Sequence, residues 1–169
     1  FMPEFLTEKN FERDFIENTD WIFGLKNTSQ DVIFKEKINY LINTSFQQGK
    51  IKYNNINYLN NSEAEMVKLF RNNFLALKVS FCNEIAEFCN LKNINYENVR
   101  KQAAKDLRIG YSHTCVPGHD GHKGYGGTCF PKDSKSLLYE MGKIDMKTYI
   151  IKSMDERNDN VDRKEADWK

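Results

Sequence analysis

From Met66 onward large apolar residues recur at helical spacing: Met66, Phe70, Phe74, Leu77, Phe81, Ile85 and Phe88 step by four, four, three, four, four and three. Ser62 followed by Glu65 matches a capping box ahead of that stripe. The pattern predicts one helix from about residue 63 to about residue 89, roughly 40 Å long at 1.5 Å per residue. A chain of 169 residues makes one ordinary domain or two small pieces, and neither can bury a rod of that length. The helix must lie between units or against a partner.

Ahead of it, Phe5, Leu6, Phe11, Phe15 and Ile16 suggest a short helix after Pro3, and the apolar run Trp21 to Leu25 suits a buried strand. Asp31 to Gln48 repeats at helical spacing and meets Gly49, where a helix commonly ends. Ile51 to Leu59 alternates loosely and can return as a second strand. Strand, helix and strand in that order form a βαβ unit with parallel neighbours. Behind the long helix, Asn95 can cap a helix carrying Tyr96, Val99, Ala103 and Leu107. Gly110 to Gly127 is a glycine-rich loop. Pro131 opens a helix through Leu137, Leu138 and Met141 that Gly142 closes. A last helix begins with Met146, Ile150, Ile151 and Met154; beyond Asp155 its apolar stripe fades, which predicts a solvated or frayed end.

A formal net charge of +1, from 25 basic and 24 acidic residues, gives no field that would favour nucleic acid as a partner. No stretch approaches the roughly 20 apolar residues of a membrane helix, and the start does not resemble a signal peptide, so no membrane partner and a cytoplasmic location are expected. Cys82, Cys89, Cys115 and Cys129 lack a paired short-spacing framework, and free thiols in a reducing compartment are the simpler expectation.

Residues 124–133, Gly-Tyr-Gly-Gly-Thr-Cys-Phe-Pro-Lys-Asp, place Cys129 after glycines that let backbone approach a ligand and just ahead of Pro131, favoured in a first helical turn. The positive end of the helix dipole and nearby Lys132 would raise its thiolate fraction. A small buried hydrophobe is the plain alternative for a lone cysteine. Lys68 and Asn72, four apart on the long helix, share a face, where an exposed polar surface is the ordinary outcome. Glu4 and Glu8 would share a face if their segment were helical.

Gly126-Gly127-x-Cys129-x-Pro131-Lys132-Asp133 resembles the cysteine signature of the nucleotide-sugar dehydrogenases. Three further segments resemble the same family in the same order: Met2-Pro3-Glu4-Phe5-Leu6-Thr7-Glu8, the long helix from Glu65 to Glu84, and Arg108-Ile109-Gly110. The resemblance implies an NAD-dependent, two-step oxidation of the C6 alcohol of a nucleotide sugar, first of all UDP-glucose, through a thiohemiacetal and a thioester on Cys129. It implies that Lys68 and Asn72 hydrogen-bond the developing oxyanion, that Glu4 is base toward the hydrolytic water, and that Asp133 orients the water or assists the thiol's proton. Phe5, Leu6, Glu8, Lys123, Tyr125, Gly126 and Gly127 would line the substrate together with Glu4, Lys68 and Asn72, while Arg108 would reach the sugar of a neighbouring subunit. Glu8, Cys129 and Lys132 would lie near the cofactor.

The implied fold is α/β: residues 1–60 the C-terminal βαβ part of a Rossmann-type domain, and 61–169 the long connecting helix with an all-helical central domain that forms a homodimer. No G-x-G-x-x-G occurs in the 169 residues, so the chain alone is expected neither to bind NAD nor to turn over. Two alternatives stand beside this. His113, Cys115, His119, His122 and Cys129 could hold zinc in a binding module, though their spacing repeats no paired-ligand pattern, and metal is not the expectation. A non-catalytic remnant dimerising through the long helix would keep Met66 to Phe88.

Overall fold

The protein is described from a computed structural model, for residues 1–7 and 9–165. Its elements are α1 (Phe11–Ile16), β1 (Asp20–Leu25), α2 (Gln30–Gln47), β2 (Asn55–Asn60), α3 (Asn61–Leu91), α4 (Tyr96–Ala103), α5 (Cys129–Lys143) and α6 (Ile150–Arg157), followed by a π-helical turn, Asn158–Asp162. The chain divides into two compact units, Phe1–Lys68 and Leu69–Lys169, with the division inside α3.

In the first unit β1 and β2 pair in parallel, Asp20 against Asn55 through Leu25 against Asn60, the strand–helix–strand order the sequence predicts. β1 is buried along almost its whole length. Trp21 and Phe23 meet Ile42 of α2 and Ile51, and Ile38, Ile56 and Tyr58 pack around that cluster. Phe15 of α1 stands edge-on to Trp21, ring centres 5.1 Å apart, and the indole N–H donates to the Tyr53 carbonyl at 2.8 Å. The unit thus closes a small apolar core between one helix and two strands.

β2 passes directly into α3, and the capping box lies two residues earlier than Ser62 and Glu65. Asn60 Oδ1 accepts the Glu63 N–H at 2.9 Å while the Glu63 carboxylate accepts the Asn60 N–H at 3.0 Å. The physical reason is continuity: the strand's last residue serves as the cap. α3 runs 31 residues, close to the expected span.

Within the second unit α3 turns a different face inward than its phenylalanine stripe. Asn73, Ala76, Ser80 and Asn83, again three to four apart, are buried, whereas Phe70, Phe74, Phe81 and Phe88 are each more than half exposed. Phe70 and Phe74 stack in parallel, 6.2 Å between centres. Ala76 meets Tyr125 and Met154, with Leu77, Val79, Phe130 and Ile151 around them. Asn95 caps α4 through its side chain, accepting from Asn98 N–H, as its position predicts. α5 begins at Cys129, two residues before Pro131, and ends past Gly142 at Lys143.

As far as Arg163 the expected solvated or frayed end is corrected, while residues 166–169 lie outside the described residues. Past Asp155 the chain tightens into the π-helical turn, Asn158 is fully buried and Arg163 is 8% exposed. The polar residues there lie against backbone that needs partners, a pattern that apolar periodicity does not register. Among the described residues no helix is long and apolar enough to cross a membrane.

Candidate active site

Cys129 is the first residue of α5 and is exposed. Its sulfur lies 3.9 Å from the Thr128 hydroxyl oxygen, and Thr128 adds no side-chain cap. One turn along, Asp133 is 5% exposed, and its carboxylate is held from two sides: Asn72 Nδ2 donates to Oδ2 at 2.5 Å and the Lys132 ammonium stands 3.1 Å from Oδ1. Asn73 donates to the Leu69 carbonyl and more weakly to that of Asp133. The structure therefore brings together Asn72, Lys132 and Asp133, from two elements far apart in sequence, with Cys129 one turn earlier on α5. Such a charge-assisted bond fixes the carboxylate's orientation.

Lys132, largely exposed, is occupied by Asp133. Lys68 precedes Asn72 by one turn of α3. Arg108 is 90% exposed, and Asp106 grips its guanidinium, with Nε 3.0 Å from Oδ1 and Nη2 2.5 Å from Oδ2; that pairing pushes the guanidinium pKa further up. Lys78 donates to the Ile109 and Gly110 carbonyls at 2.6 and 3.3 Å and so pins the turn that presents Arg108.

Residues 1–7 are not helical, so the shared helical face expected for Glu4 and Glu8 is not formed; Glu8 itself lies outside the described residues. Phe1 instead pairs with Gly24 of β1, and Thr7 donates from its N–H and its hydroxyl to the Asp14 carboxylate. Glu4, Phe5 and Leu6 line a cavity of about 240 Å³ with Met2, Pro3, Asp14, Phe15, Asn18 and Trp21.

Tyr125, expected along the substrate, has its ring in the core. It is 3% exposed and packs on Ala76, Met154 and Phe130, and burial drives its phenol pKa up. Gly126 borders the Arg163 side chain, whereas Gly127, at φ +68°, has open space on its Cβ side. Of these two neighbouring glycines, Gly127 is the one whose left-handed backbone has open space beside it. Lys123 is exposed.

Among the described residues no three His, Cys, Asp or Glu side chains come together as a metal site, so the five residues of the zinc alternative do not converge. His113 instead packs on the Phe130 ring, 5.7 Å between centres, and accepts or donates to Ser112. Burial, with Lys78 and His119 nearby, holds its pKa below the ordinary histidine value.

The first unit carries a two-stranded parallel sheet, and the second an exposed cysteine opening a helix one turn before an Asn–Asp pair, within a mixed α/β chain. The chain belongs to the UDP-glucose/GDP-mannose dehydrogenase family, whose central-domain model matches residues 62–160. It is 32% identical over 166 residues to UDP-glucose 6-dehydrogenase of Rickettsia typhi, covering 92% of this chain and 33% of that protein. It is 39% identical over 87 residues to UDP-glucose 6-dehydrogenase of Pseudomonas aeruginosa, covering 52% of this chain and 18% of that one. The structure of a UDP-glucose dehydrogenase from Pyrobaculum islandicum superposes with a TM-score of 0.74 at 25% identity, covering 94% of this chain and 33% of that structure. The chain spans a third or less of the length of these relatives.

Proposed function

We propose that this chain is the middle portion of an NAD-dependent nucleotide-sugar 6-dehydrogenase, with UDP-glucose as substrate, UDP-glucuronate as product, and no turnover by these residues alone. Residues 1–60 would be the last βαβ part of a Rossmann-type domain and 61–169 the connecting helix with a helical central domain. The exposed phenylalanine face of α3 suits a homodimer interface, through which Arg108 reaches the neighbouring sugar.

Bound NAD would accept one hydride in each of two steps. The 169 residues contain no dinucleotide fingerprint, and the roles assigned here concern this chain's side chains. Cys129 Sγ adds to the C6 aldehyde and holds it as a thiohemiacetal, then as a thioester that water opens. Asn72 and Lys68 donate to the oxygen that gains charge at C6. Asp133 keeps the Asn72 amide aimed and takes part in proton movement around the water, for which Glu4 is the base. Phe5, Leu6, Glu8, Lys123, Gly126 and Gly127 contact the sugar and its diphosphate, and Glu8 and Lys132 lie on the cofactor side.

The observation that carries this reading is the Asn72–Asp133 hydrogen bond one turn beyond an exposed Cys129. A chimera tests it: residues 62–160 replace the matching region of the Pseudomonas aeruginosa relative, and NADH formation with UDP-glucose is followed. Turnover that Cys129→Ser lowers by roughly three orders of magnitude or more supports the assignment. A folded chimera that forms no NADH, or one indifferent to Cys129→Ser, refutes it.

A further inference from the structure

The backbone leading into Cys129 passes through a slot walled by polar side chains. Asn158, 0% exposed, faces the Tyr125 residue along its backbone: the Tyr125 N–H donates to Oδ1 at 2.8 Å and Nδ2 donates to the Tyr125 carbonyl at 3.0 Å. Gly124 N–H donates to Asn83 Oδ1 at 3.3 Å. A methyl group on Gly124 would stand 2.5 Å from Asn158 Oδ1, and one on Gly126 would stand 2.3 Å from the Arg163 guanidinium carbon. Neither is a distance that real side chains tolerate. At Gly124 the buried Asn158 amide and the Cβ atoms of Asp162 and Arg163 leave no room for a side chain, whereas at Gly126 the atoms met all belong to the Arg163 guanidinium, which a side chain there would displace from its seat.

Arg163 is also tied to the far end of the same loop. Its Nη1 donates to Asp120 Oδ2 at 2.7 Å. Burial works against the Asp120 charge, but Arg163 and the His122 N–H outweigh it and hold the carboxyl below its ordinary value. One buried guanidinium thus spans residues 120–126, a segment with left-handed glycines at 121 and 124. Glycines leave a loop the most backbone freedom to lose, and a catalytic group displaced by about 1 Å can lose on the order of a hundredfold in rate.

We propose that Arg163 is a positioning residue for Cys129: seated against Gly126 and paired with Asp120, it fixes the loop that sets the start of α5. The proposal rests on the reading of Cys129 as nucleophile. It gives Gly126, proposed above as a sugar contact, a neighbour inside the chain as well.

The test uses this chain unaltered and as Arg163→Ala, Arg163→Lys and Asp120→Asn. Amide exchange of residues 120–128 is compared with that of α3 around Ala76, and Cys129 alkylation by iodoacetamide is expressed as a ratio to Cys115. Arg163→Ala is expected to speed exchange at Tyr125 to Gly127 by about tenfold and to change the alkylation ratio more than about threefold, with α3 unaffected. Arg163→Lys should return both to within about twofold, a rescue that general loosening would not produce. Should Arg163→Ala fail to fold, Asp120→Asn removes the pair without emptying the slot and should give about threefold faster loop exchange. Unchanged loop exchange and ratio, or loosening spread equally over α3, overturns the proposal. Equal alkylation of Cys129 and Cys115 in the unaltered chain refutes the nucleophile itself, and the positioning role with it, whatever the exchange shows.

Discussion

The two units are stabilised by different kinds of contact. In residues 1–68 the centre is apolar: Trp21, Phe23, Ile42 and Ile51 close on one another, and hydrogen bonds decorate the edge. In residues 69–169 the buried set includes Asn73, Asn83, Thr114, Asp133, Ser134, Asn158 and Arg163, side chains that satisfy loop backbone or one another. The first arrangement needs only hydrophobic residues of suitable size. The second needs particular donors and acceptors at particular places, and it is the one that carries Cys129.

Trp21→Ala tests the first half of that contrast and should have the largest effect. The indole is 1% exposed, stacks edge-on with Phe15 and donates to Tyr53. Its loss should destabilise the first unit by about 3–5 kcal/mol, read as a shift in the urea midpoint of that unit. An effect below about 1 kcal/mol would show that the sheet core is not where the stability of the unit lies.

Asn158→Ala tests the second half. It strips the Tyr125 N–H and carbonyl of their partner in a fully buried place, and each stranded group costs about 1–3 kcal/mol. A loss of about 3 kcal/mol in the second unit is expected, with Asn158→Asp intermediate because it retains the acceptor and lacks the donor. If alanine is tolerated at under about 0.5 kcal/mol, water replaces the amide and the slot around Tyr125 is not a specific clamp.

Why the first unit was legible and the second only partly so follows from these residues. Trp21 to Leu25 and the α2 pattern carry their periodicity openly, and the parallel βαβ pairing follows from chain order. α3 was legible in length but misleading in direction, since its largest apolar residues face outward while Asn73, Ala76, Ser80 and Asn83 face in. Asn158 and Arg163 sit in an Asp/Asn/Arg-rich stretch whose composition suggests solvent; nothing local marks them as partners for backbone more than thirty residues earlier. A sequence signal existed in the other strand of that contact, because Gly124 and Gly126 alternate with a large aromatic, the spacing of a backbone pressed closely from one side. At the site, the family motif located Cys129 and Asp133, yet Tyr125 within it serves the core.

Asn72→Ala separates orientation from stability within the second unit. It removes the amide that holds Asp133 Oδ2 and leaves a buried carboxylate without that donor, still paired with Lys132. A hydrogen bond to a charged group contributes about 1.5–3 kcal/mol, so a loss of about 2 kcal/mol is expected in the urea midpoint. In the chimera the same variant should lower turnover far more than that loss of stability alone would if, as proposed, the amide also donates to the oxygen that gains charge. A rate that falls no further than the folded fraction does would make Asn72 a structural partner of Asp133 and nothing more.

The smallest effect concerns His113, and its sign is fixed by burial. Its folded pKa lies below the ordinary histidine value, chiefly because the half-buried ring loses solvation, with Lys78 and His119 adding repulsion. Below about pH 6.5 the unfolded chain therefore binds a proton that the folded chain resists. Stability of the second unit should fall as pH drops from about 6.5, and the fall should level off once the folded ring also titrates. His113→Gln, which keeps polar contact with Ser112 but cannot charge, should flatten that part of the profile while leaving the first unit's pH dependence untouched. A profile unchanged by His113→Gln would mean that the ring opens to water before it protonates, and that the packing of this loop on Phe130 is looser than the 5.7 Å ring contact implies.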